Sequence, residues 1–275
     1  MTQITASDVA NLRKITGAGM MDCKQALAES NGDIEKAIEH LRKKGQKIAA
    51  KREDRDAKEG CVLSGVSPDK TFGVIVVLNC ETDFVAKNED FIAVTKSILD
   101  TALANKIQDK ETLLGLSING VTIADIVTDQ MGKIGEKIEL SYFSTVQAQG
   151  VTAYIHPGNR LATLVGFNVA PSDEQVGKDV AMQIAAMNPV SIDKNDCPTD
   201  IIEKEIEIGK DQARQEGKPE EMLEKIALGK LNKFYKECTL LNQDFVKDSK
   251  QTISQYLSSA QKDLTVTAFR RFGLS

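Results

Sequence analysis

Two apolar runs rich in β-branched residues, CVLSGV at 61–66 and FGVIVVL at 72–78, decide the fold class of the central part of the chain. The turn-forming residues SPDK at 67–70 separate them, so the two runs predict a pair of antiparallel strands joined by a turn. A helical pattern follows at 89–103. Its apolar face consists of Phe91, Val94, Ile98 and Leu99. The sequence therefore predicts a β-hairpin covered by a helix.

The same unit recurs further along the chain. Strands are predicted at 150–155 and 161–169, on either side of a turn at 157–159, and a helix is predicted at 172–187. A final strand at 264–269 is placed to complete this second sheet. The fold class is therefore predicted to be α+β, with two related α+β core subdomains. The subdomains are joined by a predicted helix at 121–134 and a predicted strand at 138–143.

Residues 1–52 predict a module of three helices. Thr5 lies three residues before Asp8 and opens an apolar-periodic stretch, which is the pattern of a capped amphipathic helix. The glycines of TGAG at 16–19 end this helix, and two further helices follow. Because a unit of this size buries little apolar surface, we expect it to be marginally stable alone and tethered by the basic segment 42–58.

Residues 199–238 predict an antiparallel pair of charged helices that protrudes from the body. GKP at 217–219 separates the two helices, and a single apolar stripe is typical of paired helices. On the second helix the predicted stripe consists of Met222, Ile226, Leu231 and Phe234. The predicted domains are 1–52, 53–145, 146–198 together with 239–275, and the helical hairpin 199–238.

Composition narrows the classes of function. The net charge of −5 disfavours a large nucleic-acid-binding face, because such faces depend on clustered Lys and Arg. No apolar run reaches the roughly 20 residues that span a bilayer, so no membrane role is expected. The first residues lack a basic head followed by an apolar stretch, which favours a cytoplasmic location. A protein partner is the preferred interpretation.

No motif for covalent catalysis or metal binding stands out. The five cysteines include no CxxC pair, and the only histidines are His40 and His156. The chain contains no GxSxG, HExxH, P-loop or GxGxxG motif, and Gly17 and Gly19 fit a tight connection between helices better than a phosphate loop. We therefore expect no enzymatic activity, no cofactor and no bound metal.

The most informative stretch is NCETDFVAKN at 79–88. It follows a predicted buried strand and combines an acid, Asp83, with an adjacent aromatic residue, Phe84. One interpretation is structural, with Asp83 starting a helix and Phe84 in the core. The other is that Phe84 is displayed and inserts into an apolar pocket of a partner, which is worth on the order of 1.5 to 3 kcal/mol.

Four segments of the sequence resemble the elongation factor Ts family: TGAGMMDCK at 16–24, NCETDFVAKN at 79–88, KIGEK at 133–137 and GKP at 217–219. The resemblance extends along nearly the whole chain. It implies that the first module is similar to ubiquitin-associated three-helix domains and that a pair of α+β subdomains carries the helical hairpin. Many members continue past the final strand with another helical module, and no contact of that module is carried over to this sequence.

The resemblance also implies a function in translation. The partner would be elongation factor Tu bound to GDP, and the protein would act as a guanine-nucleotide exchange factor that promotes replacement of GDP by GTP. In the family, one segment disturbs Mg²⁺ and nucleotide binding in the partner, and here it consists of Thr82, Asp83, Phe84 and Val85. The implied partner-binding residues are Leu12, Arg13, Met20, Met21 and His156. A turn histidine without a partner role is the alternative for His156.

Other functions remain open from the sequence. The three-helix module could serve a peptide-binding adaptor without exchange activity. A small enzyme could use Asp83 or His156 as acid or base, and an RNA-binding protein could combine the basic segment 42–58 with the terminal arginines. The hairpin resembles the segment through which some family members form homodimers, and a solvated projection is the alternative.

Overall fold

The computed structural model describes residues 4–52 and 54–275 and confirms the predicted α+β class. Residues 1–3 of the predicted first module and residue 53, where the first core subdomain was predicted to begin, lie outside the described residues. The boundaries of the four domains stay a prediction. Among the described residues, no helix has the length and apolar character that crossing a membrane requires.

Three helices form the N-terminal part of the protein. They are α1 (Ala6–Thr16), α2 (Met20–Glu29) and α3 (Ile34–Lys51). The predicted cap of α1 is present: the Asp8 N–H donates to Thr5 Oγ1 at 3.2 Å, and the Thr5 N–H donates to Asp8 Oδ2 at 2.9 Å. Gly17 ends the helix with a left-handed φ of 68°. A small core holds the three helices together and includes Val9, Leu12, Cys23, Leu27 and Ala37.

The predicted hairpin and its covering helix form the first half of the core. The elements are β1 (Glu59–Val66), β2 (Phe72–Cys80), α4 (Asp83–Ala86), α5 (Glu89–Ala104), α6 (Lys110–Gly115), β3 (Ser117–Ile118), β4 (Val121–Thr122), α7 (Ile123–Ile134) and β5 (Glu139–Gln147). The strands β1, β2 and β5 form an antiparallel sheet in that order. The predicted helix at 121–134 begins two residues late, because Thr122 instead caps α7 by accepting the Asp125 N–H.

The second half repeats this arrangement. It contains β6 (Gly150–Ile155), β7 (Leu161–Phe167), α8 (Glu174–Met187), α9 (Thr199–Gln215), α10 (Glu220–Cys238), β8 (Asp244–Phe245), β9 (Asp248–Thr252), α11 (Ile253–Ala260) and β10 (Val266–Gly273). The antiparallel sheet has the order β10, β7, β6, so the last strand completes the second sheet as predicted.

The two sheets pack face to face, with helices on their outer sides. One face of β2 contributes Ile75 and Val77 to a cluster with Val151 and Leu164 of the second sheet. The opposite face packs under α5, where Phe91 and Ile98 are buried. Since side chains alternate along a strand and both faces are covered, all nine residues of β2 are buried. This explains the continuous apolar run at 72–78.

The helices α9 and α10 pair along a seam that matches the predicted one in part. Met222, predicted on the seam, is exposed, whereas Leu223 and Ala227 are buried. The cause is the close approach of Gly209 on α9, where a Cβ would lie 3.1 Å from the Ala227 Cα. Leu231 is buried as predicted, whereas near the turn Leu223 and Ala227 take the covered positions in place of Met222.

The basic segment 42–58, predicted as a tether, is helical as far as Lys51. It packs against α7, and the two helices cross where Gly45 faces Gly132. A Cβ built on Gly132 would lie only 2.9 Å from the Gly45 Cα. The backbones are therefore in direct contact, and the three-helix unit is held against the core by helix packing.

We expect Gly132→Ala to destabilise the protein by about 1–3 kcal/mol, because the new methyl group meets backbone that cannot move aside easily. The matched control is Gly229→Ala in α10, where nothing lies within 4 Å of the new Cβ. There the substitution is expected to raise the free energy of unfolding by about 0.5–1 kcal/mol through helix propensity alone. Urea denaturation followed by circular dichroism measures both. Stabilisation by Gly132→Ala would contradict the tight crossing.

Candidate functional site

The segment Thr82–Val85 lies at the end of β2 and displays Phe84 to solvent. The Phe84 side chain is 84% exposed, the largest value among the exposed large apolar residues described. Its neighbours Val85 and Ala86 pack against the first core instead. The interpretation of Phe84 as a core residue is therefore wrong, and the short helix α4 turns one aromatic ring outward while its next two residues face inward.

Asp83 stands beside this ring as an ionised carboxylate. Lys87 Nζ lies 2.6 Å from Asp83 Oδ2, one helical turn away. The hydrogen bond from Lys87 lowers the pKa of Asp83 below its ordinary value, since it outweighs the small effect of burial. The candidate site therefore presents an ionised carboxylate, paired with Lys87, next to an exposed phenyl group.

Glu136 anchors the start of this segment from the connection between α7 and β5. Its Oε2 accepts the N–H groups of Glu81 and Thr82, both at 3.0 Å, and its Oε1 accepts the Thr82 hydroxyl at 2.6 Å. One carboxylate thus receives three donors from two consecutive residues. Sequence reasoning assigned no role to Glu136, although its motif KIGEK was among the segments that carried the family resemblance.

Glu81 forms the reciprocal contact. Its carboxylate accepts the Lys137 N–H at 2.6 Å, and Arg52 and Arg55 donate to it at 2.6 and 3.0 Å. Burial opposes ionisation of Glu81, but these hydrogen bonds outweigh burial and lower its pKa to about 2. Because Arg52 directly follows α3, the ion pairs also link the end of that helix to the entrance of the Phe84 segment.

His156 lies in the exposed turn between β6 and β7, where its Nδ1 is 3.0 Å from the Tyr154 hydroxyl. This turn contacts the start of β1: the Val62 N–H donates to the Asn159 carbonyl at 2.8 Å, and Arg160 forms an ion pair with Glu59. Glu59 pairs with Cys80, two residues before Thr82. The turn of His156 and the Phe84 segment therefore lie at the same end of the first sheet.

The remaining predicted partner-binding residues lie on the three-helix unit. Met20 and Met21 are 59% and 72% exposed, and together with exposed Arg13 they line an open groove of about 690 Å³ between α1 and α2. Leu12 has no exposed surface. The prediction that Leu12 contacts a partner is therefore corrected, because its side chain packs in the core beneath this groove and supports it from inside.

Comparison with known proteins identifies relatives over nearly the entire chain. A family model described as Elongation factor TS matches residues 81–275. The chain is 54% identical over 274 residues to Elongation factor Ts of Porphyromonas gingivalis, which covers 99% of this chain and 98% of that protein. It is 50% identical over 275 residues to the Flavobacterium psychrophilum protein of the same name, with 100% of both covered. For Chloroherpeton thalassium the identity is 47%, with 97% and 95% covered.

The hydrogen bonds that the Glu81 carboxylate accepts from Lys137, Arg52 and Arg55 are expected to stabilise the fold less in acid. Because the folded-state pKa is lowered from 4.5 to about 2, ionised Glu81 stabilises the fold above about pH 4.5, and this contribution is lost as the pH falls toward 2. We expect the difference in the free energy of unfolding between the native protein and Glu81→Gln to stay constant above that interval and to shrink within it. Urea denaturation at several pH values measures this difference. A pH-independent difference would contradict the assignment.

Proposed function

The chain belongs to the elongation factor Ts family, and we propose that it acts as the guanine-nucleotide exchange factor of elongation factor Tu. In this proposal it binds the partner carrying GDP, disturbs the binding of Mg²⁺ and nucleotide, and promotes replacement of GDP by GTP. The single observation that carries the proposal is the display of Phe84 at the end of a buried strand. A largely exposed phenyl ring at the end of a buried strand suits insertion into an apolar pocket.

The proposed mechanism requires no covalent step. Phe84 enters the partner beside its nucleotide site, and the negative charge of Asp83 is brought close to the Mg²⁺ and phosphate groups there. Nucleotide and exchange factor then weaken each other's binding by the same ratio, because coupling between two binding sites is reciprocal. A thousandfold loosening of GDP requires about 4 kcal/mol, which an inserted aromatic ring and a disturbed metal site can supply together.

The groove between α1 and α2 is proposed to hold the partner while the Phe84 segment acts. Its exposed Met20 and Met21 offer flexible apolar side chains, which adapt to a partner surface, and Arg13 adds a positive charge at the edge. His156 lies at the same end of the core as the Phe84 segment and is proposed as a contact beside it. Binding of the partner is thus assigned to the groove, and displacement of its nucleotide is assigned to the Phe84 segment.

The experiment that tests the function is release of a fluorescent GDP analogue from purified elongation factor Tu at fixed Mg²⁺, with and without this protein. A large acceleration supports exchange activity. Binding without acceleration would instead favour a peptide-binding adaptor that uses the three-helix unit.

Phe84→Ala is expected to slow GDP release by roughly tenfold to hundredfold, because it removes an apolar insertion worth on the order of 1.5 to 3 kcal/mol. The fold should be unchanged, since the side chain makes little contact with the core. Val246→Ala, another exposed apolar position, is the matched control and should exchange normally. Stopped-flow fluorescence measures both rates. Equal rates for Phe84→Ala and the native protein would rule out the insertion.

Met21→Lys is expected to weaken binding to nucleotide-free elongation factor Tu by about tenfold or more, because it places a strongly hydrated charge in an apolar contact. The maximal rate of GDP release at saturating factor should change less than the affinity. Met187→Lys, at a methionine on α8 that is 43% exposed and lies outside the groove, serves as the control. Isothermal titration calorimetry gives the affinities. The same affinity for Met21→Lys and the native protein would exclude the groove from the interface.

A further inference from the structure

We propose that Glu136 is a positioning residue for nucleotide exchange, and that it fixes the orientation in which the Thr82–Val85 segment presents Phe84. This inference rests on the proposed exchange function. It concerns a residue that lies 54 positions away from Thr82 in the chain and whose carboxylate binds the backbone of the segment.

The start of α4 is held by an anchor outside the segment. The helix has only four residues, which is too short to be stable by itself in water. Thr82 occupies the N-cap position, where a threonine hydroxyl commonly accepts a backbone N–H of its own helix, but here it makes no such bond. Its hydroxyl donates to Glu136 instead, at 2.6 Å. The start of α4 is therefore oriented by Glu136 and not by a local cap.

The position of Glu136 is itself defined by the fold. Gly135 ends α7 in a left-handed conformation with φ of 77°, which turns the chain toward β5 and brings Glu136 to the end of β2. Its neighbour Lys137 donates its N–H to Glu81 while Glu136 accepts the Glu81 N–H. The β2–α4 connection and the α7–β5 connection thus each donate an N–H to a carboxylate of the other. Two such bonds resist rotation of the segment better than one bond would.

Arg52 and Arg55 extend this anchor toward the three-helix unit. Both donate to the Glu81 carboxylate, and the Glu81 side chain is 17% exposed. Two carboxylates, Glu81 and Glu136, lie close together here, and the arginines together with four backbone or hydroxyl donors satisfy their oxygens. Charge-assisted hydrogen bonds of this kind are short and directional, so they restrict where the next residues lie.

The test compares Glu136→Gln with the native protein in release of the fluorescent GDP analogue. Glutamine keeps the size of the side chain but removes its charge and one acceptor. We expect the maximal release rate to fall about tenfold to hundredfold, because small displacements of an acting group produce losses of this size. The factor concentration for half-maximal rate should change little, since the groove of the three-helix unit is unaffected.

Two further variants distinguish positioning from general stability. In Glu136→Gln combined with Phe84→Ala, release should be no slower than in Phe84→Ala alone, because a misplaced ring and a missing ring are equivalent losses. Glu174→Gln is the control for loss of a carboxylate charge: it removes the ion pair with Lys70 at the opposite end of the β1–β2 hairpin. It should release GDP at the native rate.

The outcomes separate the two proposals. A native rate for Glu136→Gln, with Phe84→Ala slow, would overturn the positioning role and leave the exchange function intact. Multiplicative slowing in the double variant would also overturn it. No acceleration by the native protein would overturn the exchange function and this inference with it. If Glu136→Gln does not fold, Thr82→Val removes only the hydroxyl donor, and the inference then requires that this variant slows release.

Discussion

The structure depends on the face-to-face contact of the two antiparallel sheets. Ile75 and Val77 of β2 meet Val151 and Leu164 of the second sheet, and this contact covers the inner face of both. Burying these side chains makes β2 a fixed element that solvent does not reach on either side. The segment that follows it therefore emerges from rigid support, and the turn of His156 is held at the same end by the pairing of Arg160 with Glu59.

The elements of this fold were predictable where the signal is local. The capping pair Thr5 and Asp8, the apolar run at 72–78 and the turn before β2 each specify structure within a few residues, and the structure contains all three. The last strand was predicted to complete the second sheet, and it does so by pairing with β7. Local pattern and recurrence together thus determined the α+β class.

The features that were missed all depend on contacts between distant parts of the chain. Periodicity places Met222 on the apolar stripe of α10, but the packed neighbours leave it exposed. Part of the segment predicted as a tether is a helix that packs on α7, because Gly45 and Gly132 allow the two backbones to touch. The hydrogen bonds of Glu136 likewise join two connections that are far apart in the chain, which no single stretch of sequence encodes.

The continuous helix α3 has a consequence for the proposed complex. Its stretch from Lys44, which pairs with Asp22 beside Met21, to Lys51 leads directly to the arginine that binds Glu81. This stretch is a rigid spacer between the methionines of the groove and the Glu81 contact that precedes the exposed phenyl ring. If the connection were flexible, Phe84 would explore a large volume after the groove had bound the partner. The effective concentration of the ring at its pocket would then be low. Because the helix is rigid, the distance between the groove and the ring is fixed before the partner binds. The orientational entropy is therefore lost when the factor folds and not when it binds the partner.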